Sequence, residues 1–257
     1  MIHPSAVIAP GARLAEGVSV GAFAVIDGGV SLGRGTTVGP HAYVTGHTEI
    51  GEDNVIGASA VIGSEPQDLA YKGAKSFVRI GRGNTFREHV TIHRGTKEGT
   101  ATVIGNDNYL MASAHVGHNS VLGNGIIFAN GVLLGGYVEV ADFVFLSGHC
   151  LVHQFCKIGE GAMMRGGTAI SMDLPPYCMI GQDNRVRGLN TVGLERRGFT
   201  PQQLRGVKLL YREVFNHPKS LQEGVAELLA VERPPEQRKF LDFIKASERG
   251  VCRPLRG

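Results

Sequence analysis

An apolar residue recurs every six positions along two-thirds of this 257-residue chain. From Ile2 the series steps through Ile8, Leu14, Val20, Ile26, Leu32, Val38, Val44, Ile50, Ile56 and Ile62. It lands on Asp68 and Ala74, recovers at Ile80, Phe86 and Ile92, breaks at Glu98, and runs again from Ile104 to Ile170. Of 29 positions, 26 carry a large apolar side chain. A period of six fits neither a 3.6-residue helix nor alternating hairpins; it is the hexapeptide signature of a parallel β-helix. Three hexapeptides close one triangular coil, so residues i and i+18 stack on adjacent coils about 4.8 Å apart. Ile2–Ile170 then spans nine or so coils. The apolar residue points inward. A small or β-branched residue four places later, as at Ala6, Ala12, Val18 and Ala24, lines the wall. A glycine often follows the apolar residue, as at Gly51, Gly57, Gly81, Gly105, Gly117 and Gly135, and suits a corner that needs positive φ.

The three failing positions fall in two stretches, near 64–79 and 94–103, after which the phase resumes. They read as loops extruded from a rigid prism, where functional sites tend to gather. The 37 glycines and 11 prolines lack the collagen period, and a charged fraction of 19% is too low for disorder by self-repulsion. No run of 18 apolar residues predicts a membrane span, and no basic and apolar leader precedes the repeat. Cys150, Cys156, Cys178 and Cys252 form no CxxC pair, so free thiols in a reducing cytoplasm are expected.

Past residue 190 the period changes. Thr200-Pro201-Gln202-Gln203 reads as an N-cap, a proline at N1 and a capping-box glutamine, followed by Leu204, Val207, Leu210, Tyr211 and Val214 at helical spacing. Ser220 with Glu223 opens a second helix, and Pro234-Pro235 a third. The expected organisation is a β-helix over 1–190 and an α-helical C-terminal domain over 191–257. The net charge of +3 is unevenly spread: residues 194–257 hold 13 Lys and Arg against 8 Asp and Glu, or +5. A basic tail suits an acidic protein partner, or is a solvated helical face. No nucleic-acid partner is expected.

Six of the 10 histidines, His89, His93, His115, His118, His149 and His153, fall within 65 residues. The stacking rule puts His118, Gly136 and Gln154 in one column, with Asn119, Tyr137 and Phe155 in the next. An imidazole beside a bare glycine N–H pairs a general base with an oxyanion donor, though spacing alone equally allows a solvated edge histidine. Zinc held by histidines between subunits is the competing reading. The rule stacks none of the six on another, and separations of three and four are helical ligand spacings.

The runs VTIHRGT, SAHVGHNS, FANGVLLGG, LVHQFCKIG, DLPPY and GLERRGF, in this order, closely resemble the UDP-N-acetylglucosamine O-acyltransferases of lipid A biosynthesis. The likeness covers nearly the whole chain. It implies a left-handed parallel β-helix, a cytoplasmic homotrimer with sites between prisms, and no cofactor, metal or membrane insertion. It implies transfer of a 3-hydroxyacyl chain from acyl carrier protein to the glucosamine 3-hydroxyl of UDP-N-acetylglucosamine. His118 falls on the family's general base and Gly136 on its oxyanion glycine. Asp68, His93, His115, Gln154, Asn190, Arg196 and Arg197 fall on positions that bind the sugar nucleotide or support the site. His153 falls near the reaction centre, and Gly166 on the position that limits acyl length. Four residues depart from the family. Asn119 replaces an aspartate that orients the base, and Tyr137 replaces a histidine that follows the oxyanion glycine, leaving Tyr137 to face substrate. Ala70 replaces a lysine, with Lys72 nearby, and Val192 replaces a glutamate at the uracil. These departures keep two alternatives open: a related hexapeptide acyltransferase acting on another nucleotide sugar, such as a 3-amino analogue giving an amide, and a non-catalytic or zinc-binding hexapeptide protein.

Overall fold

The computed structural model describes residues 1–254, so the last three residues of the expected C-terminal domain lie outside the described residues. Its first 170 residues wind into a parallel β-helix with three faces, to which they contribute nine, eight and eight strands; three later strands bring the last sheet to eleven. Most strands are two residues long, with one residue outward and one buried inward. Val7 pairs with Val25, Val25 with Tyr43, and Tyr43 with Val61, each 18 residues on. The hexad residues from Val20 to Ile170 fill the core apart from the three failing positions, and Phe86 and Phe128 are fully buried. Each buried Val, Leu or Ile stabilises the prism by about 1.5–3 kcal/mol relative to an exposed one. The fold class expected from the repeat, mainly β with helices at the C-terminal end, is the one observed.

The excursions are narrower than expected: strands Val61–Ser64 and Phe77–Ile80 bound the first to 65–76, and Thr91–His93 and Ala101–Ile104 bound the second to 94–100. Across the first, Ile62 pairs with Ile92, thirty residues on instead of eighteen; across the second, Thr91 pairs with His115, twenty-four on. The insertions are therefore twelve and six residues, whole hexads, and this is why the apolar phase survives them.

The glycines after the inward residue do a different job from the one expected. Of those at 51, 57, 63, 81, 105, 117, 123, 135 and 159, only Gly63 has positive φ. The rest are needed for close approach: a Cβ on Gly117 would lie 2.6 Å from the carbonyl carbon of Gly135, and one on Gly51 2.7 Å from the Gly81 oxygen. The left-handed corner position lies two residues further on and is often not glycine, as at Asp53, Ser59, His89, Asn119 and Tyr137.

One corner is lined by buried amides. Asn54 Oδ1 accepts from Asn84 N and Nδ2 at 3.0 and 2.9 Å, and Asn84 Oδ1 accepts from Asn108 N and Nδ2 at 3.0 and 2.9 Å. Asn108 Oδ1 then takes the Ile126 N–H at 2.8 Å. This ladder joins the coils on either side of both insertions.

After Ile170 the chain forms an antiparallel hairpin, Cys178–Gln182 with Arg185–Leu189, that extends the eleven-stranded sheet. Four helices follow: α1 (Thr191–Arg196), α2 (Pro201–Phe215), α3 (Leu221–Leu229) and α4 (Pro235–Lys245). The capping boxes of Thr200 with Gln203 and Ser220 with Glu223 are both formed. Val207, Leu210 and Val214 of α2, Val225 of α3, and Phe240, Leu241 and Ile244 of α4 bury the helices' shared face. The C-terminal segment is not purely helical, because Arg253–Pro254 returns to pair in parallel with Arg185–Val186. The six-residue helix α1 carries too few apolar residues for its period to register in the sequence.

Candidate active site

The inserted loops close over the face that carries Thr91, His115 and Leu133 in register. They are stitched together: Lys75 N–H donates to Glu98 Oε2 at 2.8 Å, and Gly99 N–H to the Lys75 carbonyl at 2.9 Å. Arg94 ties them to the prism by donating to the Gly63 carbonyl and the Tyr71 hydroxyl, both at 2.9 Å. Beneath them lies a cleft of ≈ 360 Å³ lined by Gln67, His93, His115, Gly117, His118, Leu134, Gly135, Gly136, Val152, His153 and Gln154.

His118 stands at the corner after strand His115–Val116, and the column expected from stacking is present. Tyr137 N–H donates to the His118 carbonyl at 2.8 Å, and Phe155 N–H to that of Gly136 at 3.0 Å. The imidazole lies over Gly136 so closely that a Cβ there would be 2.5 Å from its Nε2. Gly136 is buried, and among the described residues its N–H has no hydrogen-bond acceptor. Gly136 lines the cleft, so an N–H without an acceptor there can hold an oxyanion. Asp68, from the first loop, brings Oδ2 to 3.9 Å from His118 Nε2.

The stacking rule misses one contact: the His93 and His115 rings meet edge to face, 5.1 Å between centroids. With the second insertion the stacking offset becomes twenty-four, which sets Thr91 on His115; His93, two residues further along the same strand, reaches the His115 ring from outside that register. His93 Nδ1–H donates to the Glu65 carbonyl at 2.5 Å, and His115 Nδ1 lies 2.8 Å from Thr91 Oγ1. Burial, above all, holds both histidines below the ordinary imidazole range, His115 at about 4, helped by the charges of the neighbouring histidines. Two neutral imidazoles therefore flank His118 at neutral pH. Among the described residues, no three His, Cys, Asp or Glu side chains are grouped to hold a metal ion.

The sequence did not single out Thr96. It sits in the second loop, 7% exposed, with Oγ1 at 2.7 Å from His118 Nδ1, closer than Asn119 Oδ1 at 3.1 Å. The failed hexad position at Glu98 marks the loop, but nothing in the sequence says which of its residues turns inward. Gln67, which lines the cleft, was missed for the same reason.

The remaining candidates lie elsewhere in one chain. Tyr137 is not on the cleft wall; its ring packs edge-on against His118 at 5.3 Å and stacks on Phe155 at 4.9 Å. Asn190 caps α1, accepting from Gly193 N–H and donating to the Gly161 carbonyl at 3.0 Å. Arg197 lies 3.5 Å over the Phe143 ring and 3.5 Å from Glu160, while Arg196 is exposed. Gly166 is exposed beside Gly148. Lys72 bonds the Leu69 carbonyl at 3.2 Å and does not turn into the cleft in place of the missing lysine. In the basic tail, Lys219, Arg233, Arg238 and Lys239 are paired with carboxylates. All four cysteines are buried and free, and among the described residues no helix is long and apolar enough to cross a membrane.

Known proteins share this architecture. Residues 173–252 match the family model for the second domain of UDP-N-acetylglucosamine O-acyltransferase. Residues 29–64 and 101–136 match that for the bacterial transferase hexapeptide. The chain is 50% identical to the acyl-[acyl-carrier-protein]–UDP-N-acetylglucosamine O-acyltransferase of Alkalilimnicola ehrlichii, over 98% of this chain and 99% of that one. It is 46% identical to the Stenotrophomonas maltophilia protein of the same name, over 98% and 97%. The crystal structure of the Bacteroides fragilis UDP-N-acetylglucosamine acyltransferase superposes with a TM-score of 0.93 at 38% identity, covering 98% of this chain and 99% of that one.

Proposed function

Because the chain belongs to the family of acyl-[acyl-carrier-protein]–UDP-N-acetylglucosamine O-acyltransferases, which carry out the first step of lipid A biosynthesis, we propose that His118 and Gly136 are the groups that perform this acyl transfer. The observation that carries the reading is one imidazole resting over a buried glycine whose N–H has no acceptor among the described residues. A sugar hydroxyl is too weakly acidic to attack a thioester unaided. His118 Nε2 takes its proton as the sugar oxygen bonds to the acyl carbon, an effect worth about 10²–10⁴-fold. Gly136 N–H holds the tetrahedral oxyanion, worth about 10²–10³-fold. On collapse the carbon–sulfur bond breaks, and the imidazolium returns its proton to the departing thiolate of the carrier. His93 and His115, neutral at pH 7, can orient sugar hydroxyls without adding charge that would oppose the imidazolium.

The working enzyme is a homotrimer in this reading. Leu133 and Leu151, 43% and 46% exposed, stack in register between His115 and Ala169 and line an apolar cleft of ≈ 500 Å³ that shares His153 with the His118 cleft. Leu69 at the loop tip is 97% exposed. Such a face asks for a neighbouring prism, and the acyl chain would lie along it. Asn190, Arg196 and Arg197 then serve the nucleotide, with guanidinium the natural donor to a diphosphate, across the interface. The two substrates and the buried free thiols suit a cytoplasmic enzyme.

Mass spectrometry of the product from a panel of 3-hydroxyacyl carrier proteins, with 3-hydroxy and 3-amino acceptors, tests the reaction. An ester of UDP-N-acetylglucosamine is expected; exclusive amide formation on the 3-amino sugar would overturn the acceptor assignment. His118→Ala should cost about 10²–10⁴-fold with the fold intact. A monomer by light scattering at assay concentration would remove the trimer.

A further inference from the structure

We propose that Thr96 is a positioning residue that fixes the tautomer of His118, filling here the place of a charged orienter; this rests on His118 being the base. For Nε2 to accept a proton it must carry a lone pair, so the ring's own proton has to sit on Nδ1. Thr96 enforces this in two ways. Its backbone N–H donates to Asn119 Oδ1 at 2.9 Å, which fixes which end of the Asn119 amide faces the imidazole. That carbonyl oxygen can only accept, and it lies 3.1 Å from His118 Nδ1. A lone pair on Nδ1 would face it repulsively; an N–H would not. The Thr96 hydroxyl, at 2.7 Å, is then the nearer acceptor for the same Nδ1–H.

Both partners are held in place. Thr96 is 7% exposed, whereas Lys97, Glu98 and Gly99 after it are on the surface, so the loop turns this one side chain inward. Asn119 has φ of +61°, and its N–H donates to Thr102 Oγ1 at 2.8 Å. The other titratable groups around His118 do not contact Nδ1. Asp68 lies beyond Nε2 at 3.9 Å, Tyr137 packs on the ring, and His93 and His115 turn their own Nδ1 atoms to the Glu65 carbonyl and Thr91 Oγ1. The six-residue insertion thus supplies an orienting oxygen from outside the repeat, and Asn119, which carries no charge, is completed by it.

The test uses the full-length enzyme with ¹⁵N-labelled histidine. Thr96→Val keeps the backbone N–H and the shape but removes the oxygen. It should lower kcat about 10–100-fold, part of what a general base contributes, with KM changed less than about threefold. The His118 ¹⁵N signals should pass from one Nδ1–H tautomer to a mixture. Thr96→Ser should restore both. Thr96→Ala, which removes the oxygen without adding bulk, carries the same comparison if the valine variant disturbs the loop. Activity within about threefold of wild type with an unchanged tautomer in Thr96→Val or Thr96→Ala, while His118→Ala is inactive, overturns the proposal alone. An active His118→Ala overturns the base assignment beneath it.

Discussion

Adding one methyl group at Gly136 separates the base from the oxyanion donor. The backbone there does not need positive φ, so alanine fits the local conformation. Its Cβ would stand 2.5 Å from both Cε1 and Nε2 of His118 and 3.1 Å from Cδ2. Unstrained contacts between such atoms are about 3.5 Å, so the ring must retreat by about 1 Å. The obstacle is a side chain, not backbone, so the prism can absorb it. A misplacement of about 1 Å costs about 10²-fold in rate, and the Gly136 N–H itself is retained. Gly136→Ala should therefore lose about 10²-fold or more in kcat, with a thermal midpoint close to wild type. Gly117→Ala is the contrast. Its Cβ would meet the Gly135 carbonyl carbon and oxygen at 2.6 Å, and rigid backbone cannot step aside, so this variant should lose stability instead. Steady-state kinetics and thermal unfolding of both variants, with the Gly136→Ala/His118→Ala double variant, make the assay. If the methyl acts through the ring, the double variant is no worse than His118→Ala. Gly136→Ala with kcat within about threefold of wild type, or fully additive losses, would show that the imidazole does not work from the position seen here.

Three further outcomes follow from the same geometry. Asn119→Asp places a negative charge beside His118 Nδ1, so the acidic limb of kcat/KM should move to higher pH; an unmoved limb means that residue 119 does not act on the ring. Gly166→Met should fold normally, since a Cβ there comes no nearer than 3.3 Å to the Gly148 oxygen and 3.4 Å to Ser147 Oγ, and should shift donor preference to shorter acyl chains; an unchanged preference removes Gly166 from the acyl path. His115 stays neutral in the fold down to about pH 4 against 6.5 when unfolded, so the unfolded chain binds the extra proton between these values. That contribution is intact above pH 6.5 and is lost as pH falls towards 4, so His115→Gln should show a shallower fall in thermal midpoint across this window, and an identical slope would contradict it.

The repeat was legible because every inward position answers to one physical demand, burial in a shared core, and because the insertions come in whole hexads. The helices α2 and α3 were legible from their capping boxes. The column of His118 and Gly136 was legible because no insertion lies between them. Thr96 and the contact of His93 with His115 were not, since both depend on how an inserted loop folds back, which periodicity does not encode. The glycine reading failed because a corner has two requirements, a left-handed residue and a bare Cα facing the next coil. The chain meets the first with Asn119 and Tyr137 and the second with Gly117 and Gly135.

The amide ladder of Asn54, Asn84 and Asn108 bears on how the molecule comes apart. In a solenoid each coil touches only its neighbours, so opening can begin at any weak junction. Lengthening the chain between stacked residues from eighteen to thirty adds about 0.5 kcal/mol of closure entropy, and the two inserted coils would by that measure be natural places to crack. The ladder crosses both, and each amide left open inside the prism would forfeit about 1–3 kcal/mol. Severing one rung strands the next, so these coils are coupled beyond their nearest neighbours. Hydrogen exchange through this stretch should therefore be concerted, and the loops that hold Asp68 and Thr96 are carried on coils that the ladder makes open together.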